Sequence, residues 1–205
     1  MASPTNKLLV EGVDDLHVCK ALLEHHRVPE TFVVTPKNGI EALIEGLDVE
    51  LDASGLTRLG VIVDADTDLA ARWTQLTAKL KAYGYKTVPA QPDASGTVVD
   101  EDGLPRLGAW LMPNNSTTGM LEHFVEQLVP QDDNLWQDAQ AVVAGLGDRQ
   151  RFPSQHVKKA QIHTWLAWQK EPGRPLGTAI TARYLDANSA QAASFIAWIT
   201  RLFVD

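Results

Sequence analysis

Apolar and polar positions divide the first 85 residues into short hydrophobic runs and longer stretches of helical period. Lys7-Leu8-Leu9-Val10-Glu11-Gly12 is a short apolar run halted by glycine, the pattern of a buried strand ending in a turn. Asp14 or Asp15 can then cap a helix running to about His26, whose apolar positions fall three and four apart. Thr31-Phe32-Val33-Val34-Thr35 predicts a second strand closed by Pro36, and a helix over about 40–47 follows the Lys37-Asn38-Gly39 turn. Leu59-Gly60-Val61-Ile62-Val63-Asp64 is apolar without a break, which predicts a strand buried on both faces. An amphipathic helix over about 68–83 stops at Gly84.

Strand and helix in alternation predict an α/β domain with a parallel sheet. Prolines, glycines and Asp100-Glu101-Asp102-Gly103 interrupt this rhythm between Pro89 and Pro105, predicting a loop with a β-hairpin whose second arm is Leu107 to Met112. Helices are expected at about 118–129, 134–146, 155–169 and 189–203. Ile162, Trp165, Leu166 and Gln169 keep helical spacing, as do Phe195, Trp198, Ile199 and Leu202, so both tryptophan stripes read as core.

No apolar run approaches the ~20 residues of a membrane span. Met-Ala-Ser-Pro-Thr-Asn-Lys lacks a signal-peptide core. The one cysteine, Cys19, shares a helical face with Leu16, Leu22 and Leu23 and reads as a core thiol, in keeping with a reducing, cytoplasmic setting. A net charge of -8 argues against coating DNA by bulk attraction. The charge is uneven, however: residues 1–148 carry 10 Lys/Arg against 23 Asp/Glu, whereas 149–183 carry seven basic residues against Glu171. That basic segment, with Arg149, Arg151, Lys158 and Lys159, is a candidate nucleic-acid-binding face, or else ordinary solvated helix surface.

Two acidic clusters stand at strand ends, Val10-Glu11-Gly12-Val13-Asp14-Asp15 and Val61-Ile62-Val63-Asp64-Ala65-Asp66-Thr67-Asp68. Ligands gather at the carboxyl ends of strands in an open parallel sheet, and both clusters reach one edge if the first and third strands are neighbours. In extended backbone, carboxylates at i, i+2 and i+4 point to one face, roughly 7 Å apart at the α-carbons. Hard oxygen donors crowded in this way suit Mg²⁺ or Mn²⁺. Glu122 lies off the buried stripe Met120, Leu121, Phe124, Val125 and Leu128 of its predicted helix. If the strand through Met112 ends at the same edge as Asp64, Glu122 joins the acids and completes a two-metal arrangement.

Glu11-Gly12 with Asp15, followed about 50 residues later by Asp64-x-Asp66-x-Asp68 after another strand, resembles the Toprim domain. That domain occurs in topoisomerases, bacterial primases and the overcoming-lysogenization-defect nucleases. The resemblance covers about residues 6–115, and the chain as a whole looks like the small stand-alone bacterial Toprim proteins. It implies a Rossmann-like parallel sheet flanked by helices, with a Toprim domain at 1–117 and a helical extension at 118–205 packed on it. It implies that Asp64 and Asp66 hold Mg²⁺ or Mn²⁺, with Asp68 or Asp15 assisting, and that Glu11 acts as general acid/base or as a second ligand. Stand-alone Toprim nucleases can use a lysine outside the sheet against transition-state charge, a part for which Lys158 and Lys159 are the candidates, Lys159 being taken as catalytic. The activity expected is a metal-dependent nuclease acting on DNA or RNA, alone, as a homodimer or with a partner protein. Two alternatives remain at this stage. One is a non-catalytic Toprim module that binds metal or nucleic acid and recruits a partner. The other is a glycosyltransferase using Asp64-Ala65-Asp66 for a nucleotide sugar, which leaves Glu11-Gly12 unexplained.

Overall fold

The computed structural model describes residues 6–205, so the N-terminal stretch inspected for a leader lies largely outside it. Five strands form one sheet: β1 (Asn6–Val10), β2 (Val33–Pro36), β3 (Arg58–Asp64), β4 (Thr97–Val99) and β5 (Arg106–Met112), in the order β2-β1-β3-β5-β4. The first four in that order run parallel, and β4 pairs antiparallel with β5. The hairpin read from the sequence is therefore β4-β5. Its second arm is also an interior parallel strand, paired with β3 from Arg58↔Arg106 to Asp64↔Met112.

Alternation along the strands feeds two cores. Leu8, Val10, Ile62, Trp110 and Met112 face one layer, and Leu9, Val61, Val63, Leu107, Ala109 and Leu111 face the other. Successive side chains of a strand point to opposite faces, so an unbroken apolar strand needs a cover on each side. The second face is covered by α2 (Ile40–Glu45), α3 (Leu47–Leu51) and α4 (Leu69–Tyr83), through Leu43, Leu47, Trp73, Leu76 and Leu80. The helix expected over 40–47 is thus two short ones broken at Gly46.

On the first face lie α1 (Val13–His25), α5 (Leu121–Glu126), α6 (Asn134–Ala144), α7 (Val157–Ala167), α8 (Leu176–Thr181) and α9 (Ala190–Phe203). Trp165, Phe195, Trp198 and Leu202 are fully buried there, as is Cys19, so both tryptophan stripes and the thiol are core. The 118–205 half accordingly forms much of one layer over the sheet, sharing a single core with β1, β3 and β5. No helix among the described residues is long and apolar enough to cross a membrane.

Candidate functional site

Because β1, β3 and β5 are parallel neighbours, their carboxyl ends open on one edge. Glu11 follows β1 directly, and its Oε1 accepts a hydrogen bond from the Asp64 backbone N–H at 2.6 Å. The loop after β2 is tied to the same edge, with Lys37 N–H donating to Val10 O and Gly39 N–H to Glu11 O. Helix α1 begins at Val13 with Gly12 as its cap, so neither Asp14 nor Asp15 caps it. Asp15 instead lies in the first turn and folds back, its Oδ2 accepting from Gly12 N–H at 3.0 Å. The chain after β5 returns so that Leu121 N–H, at the start of α5, donates to Asp64 Oδ1 at 3.0 Å.

The resulting cleft, about 470 Å³, is lined by Glu11, Asp15, Asp64, Asp66, Glu122 and Lys159 among others. Glu122 is only 3% exposed and bonds Lys159 Nζ at 2.9 Å. That ion pair raises the Lys159 pKa. The buried stripe of Leu121, Phe124 and Val125 fixes the rotation of α5 that turns Glu122 inward. Burial, followed by the charges of Glu11 and Asp15, pushes Asp64 up to about 9. Burial likewise lifts Glu11 to about 7 and Asp15 to about 6, partly opposed by their backbone hydrogen bonds. Carboxyls so raised by desolvation and by one another mark a place where a cation would be stabilised.

The third acidic position does not join them. Extended backbone ends at Asp66, which takes a left-handed φ of 52° and pairs with Gly119 through two backbone hydrogen bonds. The i, i+2, i+4 alternation therefore fails after Asp64. Asp68 is exposed and caps α4, its Oδ1 accepting from Ala71 N–H at 2.9 Å, which corrects its expected place beside Asp64. Asp66 meets Arg72 at 2.5 Å, and Arg72 Nε also donates to Asp64 O at 3.0 Å. Arg72 escaped the sequence reading. Its signal was a cation in the first turns of a helix, where the dipole disfavours it.

Among the described residues, no group of three or more His, Cys, Asp or Glu stands arranged to hold a metal ion. One oxygen each of Glu11, Asp15, Asp64 and Asp66 is turned to a protein donor. Each carboxylate has a second oxygen, and all-oxygen donors of this kind fit a hard divalent ion.

The basic segment is largely paired. Lys158 bonds Glu126 at 2.6 Å and lies over the Trp136 ring, Lys159 bonds Glu122, and Arg149 donates to Gly145 O at the end of α6. Arg151 is exposed on the loop before α7. Adjoining the acid cleft is a second, about 700 Å³, whose lining shares Asp66 and Met120 with it and adds His123, Lys158 and Gln161.

A family model described as "Protein of unknown function (DUF3226)" matches residues 5–204. Comparison with curated proteins finds no match. Among solved structures, the C-terminal region of the Xanthomonas campestris pv. campestris OLD protein, phased with mercury, superimposes with a TM-score of 0.50 at 14% identity, covering 98% of this chain and 97% of that one. The same region phased with iodine gives 0.47 at 13% identity over 98% and 96%. At this identity the likeness is one of fold, a mostly parallel Rossmann-like sheet with flanking helices.

Proposed function

Because the chain belongs to the DUF3226 family, described only as of unknown function, its activity has to be read from the cleft; we propose Mg²⁺- or Mn²⁺-dependent phosphodiester cleavage of nucleic acid. The observation that carries this reading is the meeting of Glu11, Asp15, Asp64 and Glu122 in one cleft with Lys159 beside them. The Toprim resemblance of Glu11-Gly12 and Asp64-x-Asp66 supports it, as does the fold shared with the OLD protein's C-terminal region.

Asp64 and Asp66 would hold the ion, with Asp15 and Glu122 as further donors. The bound ion would supply Lewis-acid stabilisation of charge at phosphorus and lower the pKa of a coordinated water. Glu11, held at Oε1 by the Asp64 amide and raised to about 7, is suited to exchange a proton near neutral pH. Lys159, half-exposed beside the cleft, would meet the phosphate oxygens when Glu122 turns to the ion.

The test is cleavage of labelled single- and double-stranded DNA and RNA with each metal. Asp64→Ala and Glu11→Ala are expected to reduce turnover by at least ~100-fold, the first by loss of the ion and the second by loss of the proton-transfer group. Activity that survives Asp64→Ala would point to another site or a contaminant. A second reading, a module that binds without turnover, is favoured by the Arg72–Asp66 ion pair. Metal binding without cleavage of any substrate would select it.

A further inference from the structure

Beside the acid cleft, the second one asks for a different chemistry. The two share Asp66 and Met120 in their linings, so a ligand in one lies next to the other. Its charges are already matched, Asp66 by Arg72 and Lys158 by Glu126, which leaves little pull on a phosphate. What remains in its lining is a set of uncharged donors and acceptors, Thr67, Thr118, Ser154, Gln155 and Gln161, with the apolar side chains of Met120 and Val157. Gln161 Oε1 is buried with no hydrogen-bond partner, an acceptor without its donor. His123 Nδ1 is taken by Met120 N–H at 3.2 Å, which leaves Nε2 to carry the proton of the neutral ring and act as donor. A volume of about 700 Å³ lies within the ~300–1,000 Å³ typical of small-ligand sites.

From this geometry we infer that the second cleft seats an unpaired nucleobase of a single-stranded nucleic acid whose backbone crosses the acid cleft. The inference rests on the phosphodiester reading above and adds its substrate class. Neutral hydrogen-bonding groups read the edge of an unstacked base, and a base in a duplex has its pairing edge already occupied. The phosphate next to that base is then carried towards Glu11, Asp64 and Lys159.

The experiment uses the full chain with Mn²⁺ and one oligonucleotide, made as DNA and as RNA, each offered single-stranded, as a blunt duplex, and with an abasic residue at each position flanking the cleavage point. The single strand is expected to be cleaved with a KM roughly tenfold below that of the abasic strand, the scale of one well-read base. The duplex should be a poor substrate, and the DNA and RNA arms identify the source of the base. In Gln161→Ala the KM of the intact strand should rise towards that of the abasic one while the abasic strand's KM stays unchanged, with kcat within about twofold, since base contacts act in binding. Equal KM for intact and abasic strands, or equal cleavage of the duplex, would overturn the inference. If no substrate is cleaved, the phosphodiester reading fails, and the seat is measured by itself through fluorescence anisotropy. Tighter binding of the intact than of the abasic strand would support it, and equal affinities would sink it.

Discussion

Asp64 concentrates the tension of the acid cleft in one group. Its ordinary pKa of 3.8 is pushed to about 9, and Glu11 and Asp15 rise from 4.5 to about 7 and from 3.8 to about 6. Above pH 4 the unfolded chain releases these protons before the folded one does. Their effect is therefore to lower stability as pH rises, most steeply between about pH 4 and 9. In chelator, the melting temperature is expected to fall between pH 5 and pH 8. Asp64→Asn keeps an oxygen for the Leu121 amide and has no proton for the unfolded chain to release, so it should raise Tm at pH 8 by roughly 2–4 °C or more and flatten the pH profile. Thermal denaturation at both pH values checks this, and a variant that melts lower at pH 8 would contradict it. At this scale the sequence was legible where chemistry is local: Glu11 and Asp64 follow from strand ends, and Glu122 from an apolar stripe that excludes it. Asp68 was misread because its place depended on one backbone angle at Asp66, and no spacing argument reports a φ of 52°.

The strands and long helices followed from hydrophobic period, whereas the short elements did not. Helix α8 has six residues in a stretch rich in glycine and threonine, too few for a period to emerge. Also unread was the meaning of two glycines within strands. Gly60 and Gly108 are register partners on β3 and β5; a Cβ on Gly108 would run into Leu202 of α9, and one on Gly60 would run into Leu8 and press on Leu202. The helix lies against bare backbone there, which is why a residue that weakens strands occupies both positions. Alanine would gain some entropy by restricting the unfolded chain, worth ~0.4–1 kcal/mol, but overpacking a filled core costs about 1–3 kcal/mol, so the clash wins. Gly108→Ala should lower the urea midpoint accordingly. Adding Leu202→Ala to it should cost less than the two single changes combined, because the second removes the atoms the first strikes. Strict additivity would show that Leu202 does not meet Gly108.

Across the whole molecule, the expected division at residue 117 falls between two parts of one core. Leu8, Val10, Ile62, Trp110 and Met112 pack with Phe124, Phe195, Trp198 and Leu202, and Trp198 Nε1–H donates to Thr97 O across 101 positions of chain. Each such buried side chain contributes about 1.5–3 kcal/mol, a sizeable share of the ~5–15 kcal/mol by which a domain is stable. A 1–117 fragment is expected to lack a cooperative melting transition and near-ultraviolet dichroism; a sharp transition in the fragment would restore the two-domain view. The sequence could not decide this, since helical stripes announce a buried face and not its partner. The covering of β3 and β5 by α9 also orders events during synthesis. Those strands keep part of one face bare until residues 190–203 have left the ribosome, and the nascent chain passes through that interval with apolar sheet surface open to whatever escorts it.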